Sequence, residues 1–484
     1  MFDFDKIDDD GTELPFLNYD TPKYIFELPY ANEILRDKCI DRARELFGND
    51  VPVQIMDRLL RELQAITVNG YASYYLIAAD IVKYSLDKGY PVSNRGTLSS
   101  SLVTYLCGIS QINPMPAYYY CLYCHHFEFV NKKDDDVRTC VYELHDKKCP
   151  DCNRIMEKDG IDVLSEINMG VNYDKEPTFN INFAPQIRSQ IVDYIKIKYS
   201  KEQILRAGTE VKQSDGTYKR GVHPGGIYIV PGGTDISSVT TLRKWEAEDD
   251  FKLWITDDDY HELDDIFKRY NVLTQVELDE LHDLRKVTGL NYEVISTVDN
   301  EILEVFSDTS NSFMKRFPKK VKELIDSVEL TSITDLARID GLLYGSGNWP
   351  CTEIKEHTLK EIITCRDDVM QYLMNKGIIH YAYRIMRSVS FGKGLTDEMV
   401  DLMKSADIPE WYIDSCNRKR YLYPWTQLME YALTNWRLAY YYLHYPEEYN
   451  ALQEGYEERR HRRELFHKML TSNTVKVIDE LRRV

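Results

Sequence analysis

Apolar positions recur at helical spacing over residues 31–47, 54–67 and 72–88, and each stretch predicts an amphipathic helix. Arg95-Gly96 interrupts the pattern, and Ser99-Ser100-Ser101 opens a further helix. Between Cys121 and Cys152 the chain turns polar and reads as an insert. Two runs are strand-like, Phe179–Phe183 and Gly226–Val230. From about residue 262 onward nearly everything reads as amphipathic helix, punctuated by Gly289, Gly341, Gly377, Gly394 and Pro409. No internal repeat and no low-complexity tract is visible. The pattern predicts an α+β chain, predominantly helical, with a short strand-rich middle.

The two ends depart from this. Residues 1–22 are acidic, with Asp3, Asp5, Asp8, Asp9, Asp10, Glu13 and Asp20 around Gly11 and Pro15, and read as a flexible arm. Glu457–Lys468 holds the one dense basic cluster, Arg459-Arg460-His461-Arg462-Arg463, which reads as a solvated helix face, with phosphate contact as the alternative. A chain of 484 residues, 43% hydrophobic, can bury large cores, and its length suggests about three domains. No charged-then-apolar leader opens the sequence, and no run of about 18 apolar residues could span a bilayer. A cytoplasmic location with no membrane partner is therefore expected. Ten cysteines in such a reducing compartment read as metal ligands and buried thiols, not disulfides. The net charge of −19 argues against a strong grip on DNA, which needs Lys and Arg against phosphates, unless a local basic groove outweighs it.

Cys121-x-x-Cys124 and Cys149-x-x-Cys152 are the strongest motif read from residues alone. Each pair places two thiolates on one side of a tight turn, and together they close a tetrahedral cage on zinc. Four thiolates leave no open coordination position, so the zinc is expected to hold structure and do no chemistry. Cys140 lies in the intervening loop without a paired partner, and His125 and His126 beside Cys124 are competing ligands. Arg95-Gly96-Thr97-Leu98-Ser99-Ser100-Ser101 is a weaker signal. A Gly/Ser-rich turn leading into a helix presents unpaired backbone N–H groups to a phosphate, but a serine-capped helix start is commonplace.

In order along the chain, Val92-Ser93-Asn94-Arg95-Gly96-Thr97-Leu98-Ser99-Ser100-Ser101, Gly108-Ile109-Ser110-Gln111-Ile112-Asn113-Pro114-Met115-Pro116 and Tyr120-Cys121-Leu122-Tyr123-Cys124 closely resemble the nucleotide-binding loop and zinc module of PolC. PolC is the DNA polymerase III alpha subunit of low-GC bacteria. The resemblance continues through Gly221-Val222-His223-Pro224-Gly225-Gly226-Ile227, Trp254-Ile255-Thr256, Cys365–Met370, Gly392-Lys393-Gly394 and Pro409–Cys416, covering about residues 25–450. It implies a palm/fingers-like core: a helical region over 25–91, a palm-like domain over 92–275 with a zinc insert at 118–155, and a helical fingers-like region over 276–450. Residues 1–24 form the arm and 451–484 a basic helical tail. Nucleotide binding is implied for Arg95, Gly96, Ser100, Ser101 and Lys393, although Ser93 and Ser99 stand where the family has glycine.

The departures are as informative. The family's strand Pro-Asp-Ile-Asp-Leu-Asn-Phe holds two magnesium-binding aspartates, and here they fall on Thr178 and Asn180 of Pro177–Phe183. The third catalytic aspartate falls on Asn271. The family's Gly-Thr-Asp-Val-Trp is Gly345-Ser346-Gly347-Asn348-Trp349, its Arg-Lys before Gly-Lys-Gly is Ser390-Phe391, and its Phe-Pro-Lys-Ala-His is Tyr423-Pro424-Trp425-Thr426-Gln427. Asp174 and Glu176 share strand parity with the lost positions and are the conceivable substitutes, though no shift repairs Asn271. Two-metal phosphoryl transfer needs carboxylates, so magnesium is not expected here and no catalytic residue is assigned. The expectation is a pseudo-polymerase that binds primer-template or single-stranded DNA weakly. A protein-interaction module in a replisome, encoded by a phage, mobile element or defence cassette, is the second reading, and an active divergent DNA polymerase the third. The exonuclease, phosphoesterase-like, clamp-binding and duplex-contacting modules are not expected in this chain, and with them processive replication.

Overall fold

Ten strands and a larger number of helices build the described part of this computed structural model, which comprises residues 26–132, 138–212, 217–244, 251–345 and 352–456. The acidic arm, Ser346–Trp349, the Arg459–Arg463 cluster and most of the basic tail lie outside it. The strands are β1 Val92–Asn94, β2 Tyr118–Tyr120, β3 Phe127–Phe129, β4 Glu157–Asp159, β5 Phe179–Phe183, β6 Gln203–Lys212, β7 Tyr218–Val230, β8 Leu242–Arg243, β9 Trp254–Asp259 and β10 Arg269–Thr274. The three N-terminal helices, Ala31–Phe47, Val53–Val68 and Ala72–Asp87, fall where the apolar spacing predicts them.

Seven strands form one mixed sheet in the order β1-β5-β10-β7-β6-β9-β8, with β5 parallel to β10 and β6 parallel to β9. On β5, Phe179, Ile181 and Phe183 alternate into a core shared with the three N-terminal helices, which leaves Asn180 and Asn182 on the opposite face. Burial of each such side chain contributes about 2 kcal/mol, so this alternation fixes the register. β10 corrects the sequence reading, which took nearly everything from about residue 262 onward as helix. Its buried Tyr270 and Val272 pack into the same core, and its place between β5 and β7 overrides the helical pattern around it. β7 also runs further than the predicted Gly226–Val230. Gly225 and Gly226 are required there, because a Cβ at Gly225 would lie 2.8 Å from the Val272 carbonyl oxygen and one at Gly226 2.7 Å from Ala207 Cβ.

β2, β3 and β4 make a small separate sheet in the order β3-β2-β4. From residue 276 the chain is helical around a second large core, whose central element is the helix Trp425–His444. Gly289 and Gly377 end helices as expected, but Gly341 does not break one. It sits inside the helix Ile333–Tyr344, where a Cβ would approach the Thr364 carbonyl oxygen to 2.3 Å, so it is a contact glycine. The whole is a mixed α/β fold, with a larger sheet than the short strand-rich middle of the predominantly helical α+β chain that the sequence predicts.

Candidate functional site

The parallel register of β5 and β10 sets Asn180 directly beside Asn271. Asn271 Nδ2 donates to Asn180 Oδ1 at 2.5 Å, with Asn271 buried and Asn180 partly so. Thr178 precedes β5 in the same parity. The neighbouring polar side chains are also tied to one another: Ser93 donates to Gln275 Oε1 at 2.7 Å, and Asn182 Nδ2 donates to Ser93 Oγ at 3.1 Å. Two carboxylates placed like Asn180 and Asn271 would repel by about 4 kcal/mol at 4 Å and an effective dielectric near 20, and would need a cation between them. Two carboxamides attract instead through a hydrogen bond and need no cation, although Asn271 Oδ1 is left buried without a partner.

Neither proposed substitute carboxylate turns to this pair. Glu176 is ion-paired with the buried Lys268 at 3.0 Å, and Asp174 is exposed. His223, in the His-Pro-Gly-Gly run of β7, accepts the Gly226 N–H at 2.7 Å through Nδ1. Burial, reinforced by Arg269 and Arg206, pushes its pKa down to about 3 and keeps it neutral.

The Arg95 loop leaves β1 with its own backbone bond to β5, Arg95 N–H to Asn180 O at 2.9 Å. Gly96 follows at φ +70°, and its N–H donates to Gln427 Oε1 at 2.7 Å. Ser101 caps the five-residue helix Leu102–Leu106, so the predicted helix start is in place. Ser100 and Ser101 are completely buried. The Ser101 hydroxyl donates to Glu62 Oε2 at 2.7 Å, and Ser100 Oγ lies 3.5 Å from Thr426 Oγ1. Ser99 donates to Glu430 Oε1 at 3.4 Å, and Gln111 Nε2 to its Oε2 at 2.7 Å. Burial raises the Glu430 carboxyl to about 7. Burial also raises the Tyr423 and Tyr431 phenols, opposed by the nearby Arg95. Lys393 is exposed on a separate turn between Gly392 and Gly394. The structure thus gathers Arg95, Gly96, Ser100 and Ser101 in one loop, with Lys393 apart. Gln427, Thr426 and Glu430 were not singled out as a set from sequence. The signal available was a polar residue at 427 and an acid at 430 on the buried side of an otherwise apolar helix.

The four cysteines Cys121, Cys124, Cys149 and Cys152 converge with all their sulfurs within 4.8 Å of one another, and could hold a metal ion such as zinc. Their two turns share one geometry. His125 N–H bonds to Cys121 O and Asn153 N–H to Cys149 O, each at 2.9 Å, and His125 and Asn153 both take left-handed backbones, φ +60° and +59°. The competing ligands are engaged elsewhere: His125 Nδ1 lies 2.6 Å from Tyr120 Oη and His126 Nδ1 2.8 Å from Asp151 Oδ2. Cys140 is buried in the helical core. Among the described residues this is the sole cluster of three or more ligating side chains.

The family profile described as "Bacterial DNA polymerase III alpha NTPase domain" matches residues 33–215, which takes in the Arg95 loop, the cysteines, Thr178 and Asn180. Over 474 residues the chain is 32% identical to "DNA polymerase III PolC-type" of Caldanaerobacter subterraneus subsp. tengcongensis, covering 87% of this chain and 34% of that protein. The chain is similar in sequence to PolC-type DNA polymerase III. Proteins of the same description from Staphylococcus epidermidis and Staphylococcus aureus are also 32% identical over 475 residues, 87% of this chain and 33% of theirs. The chain spans about a third of the length of these relatives. Among its described residues, no helix is long and apolar enough to cross a membrane.

Proposed function

We propose that this PolC homologue is a non-catalytic polymerase core that acts by binding in the cytoplasm, with DNA or a replisome protein as its partner. The large sheet corresponds to a palm and the helices after residue 276 to fingers. One observation carries the reading: the Asn180–Asn271 hydrogen bond stands where the family resemblance puts two metal-binding aspartates. Two-metal catalysis takes several kcal/mol of charge stabilisation from the cations, and about 1.4 kcal/mol is tenfold in rate. Carboxamides paired with each other offer magnesium no charged ligand. The cysteine cage holds a structural zinc that ties Tyr120 and the β2–β4 sheet together.

Primer extension with magnesium or manganese tests this. No incorporation is expected. Thr178→Asp, Asn180→Asp and Asn271→Asp combined should still give at most weak activity, because Ser390, Phe391, Trp425 and Gln427 replace groups that the resemblance assigns to nucleotide and DNA. Incorporation by the unaltered chain that is lost on changing Asp174 or Glu176 would establish an active divergent polymerase instead.

A further inference from the structure

We infer that Gln427 decides what the Arg95 loop accepts, and that it excludes polyphosphates by filling the backbone donor such a ligand would need. The inference rests on the non-catalytic reading and specifies the ligand behaviour of the same site. Gly96 holds φ +70°, a conformation suited to glycine that turns its N–H out of the strand. A phosphate oxygen bound to this loop would accept that N–H. The Gln427 carboxamide oxygen accepts it already, at 2.7 Å, and only 4% of Gln427 is exposed. A Cβ at Gly96 would lie 3.5 Å from Asn180 Nδ2, so the loop and the Asn180–Asn271 pair adjoin one another.

Gln427 is also no loose plug. On the same face of its helix, Thr426 Oγ1 lies 3.5 Å from the Gly96 carbonyl oxygen, and Glu430 receives Ser99 and Gln111. The helix itself is anchored. Trp425 is fully buried beside the guanidinium groups of Arg138 and Arg338, at 4.6 and 5.1 Å, and its backbone N–H donates to Asp367 Oδ2 at 2.8 Å. The loop's hydroxyls are engaged as well: those of Ser100 and Ser101 are buried and face Thr426 and Glu62, and those of Thr97 and Ser99 donate to Asn168 Oδ1 at 3.1 Å and Glu430 Oε1 at 3.4 Å. The loop has therefore exchanged an external anion for an internal amide.

Titration calorimetry with tripolyphosphate and with dATP, together with amide hydrogen exchange at Gly96, tests this on the full chain. The unaltered protein should show no saturable binding in the millimolar range and a protected Gly96 amide. Gln427→Ala should expose that amide to faster exchange and bind tripolyphosphate at least about tenfold more tightly, the worth of one hydrogen bond released. Gln427→Glu should keep the protection and still reject the anion, which separates occupancy of the donor from general loosening. Saturable binding by the unaltered chain would overturn the inference, as would Gln427→Ala with unchanged exchange or no gain in affinity. Binding of dATP without primer extension would sink this inference alone, whereas primer extension would sink the non-catalytic reading.

Discussion

Asn271 donates to Asn180, and that hydrogen bond ties the two parallel strands together at the centre of the sheet, while Asn271 Oδ1 stays buried without a partner. Converting both to Asp should lower the melting temperature in metal-free buffer by several degrees, since two carboxylates a few ångströms apart repel by up to about 4 kcal/mol. Either single change should cost less, because one Asp can still accept from the remaining carboxamide. Equal losses for single and double variants would contradict the pairing. Glu430 offers a second test at this scale. Burial holds its carboxyl protonated to about 7, against about 4.3 when unfolded. A folded acid that keeps its proton longer contributes full stability at low pH, and that contribution drains away as pH rises from about 4 to about 7. Asp340, raised to about 7 by burial alone, acts in the same direction. Glu430→Gln should therefore flatten the fall in melting temperature across this window and leave the variant the more stable form at pH 8. A steeper fall in the variant would show that Glu430 is ionised in the folded protein.

Elements meet at points where one atom decides the packing. Gly341→Ala is expected to destabilise by about 1–3 kcal/mol or more, because the new Cβ meets the Thr364 carbonyl, a backbone atom that cannot turn aside. Chemical denaturation measures it, and a neutral result would mean that the helix Ile333–Tyr344 shifts freely. The cysteine turns join β2 and β4 through one shared centre. Elemental analysis should return about one zinc per chain, with Cys149→Ser lowering occupancy and chelation lowering thermal stability, since thiolates brought this close need a cation to offset their repulsion. A metal-free preparation of unchanged stability would remove the cage from the account.

At the scale of the whole molecule, a net charge of −19 sets the terms for any polyanion. DNA affinity should be weak and fall with salt along a shallow slope of about 2–4 phosphates, since 79 Asp and Glu outweigh the 60 Lys and Arg that could neutralise the backbone. Reversing the charge of Arg459, Arg460, Arg462 and Arg463 should lower it further if the tail takes part. Fluorescence anisotropy against salt gives the slope directly. Tight, salt-resistant capture of a protein with no DNA binding at low salt would make this chain an interaction module.

The sequence by itself determined the local and the covalent. Helices at 31–47, 54–67 and 72–88 follow from spacing that buries one face, and the cysteine cage follows from two Cys-x-x-Cys turns that need only their own residues to form. The ordered motifs also announced the polymerase kinship that the comparisons bear out. Tertiary structure decided the rest. β10 is a strand because β5 and β7 flank it, Gly341 is a glycine inside a helix because the Thr364 carbonyl leaves no room for a side chain, and Asn180 meets Asn271 across 91 residues of chain. Gln427 reaches Gly96 across 331 residues, so no local pattern could announce that the loop's donor is filled from within. Spacing encodes which face of an element is apolar, but a hydrogen bond between distant side chains exists only once the packed elements have fixed both partners within reach.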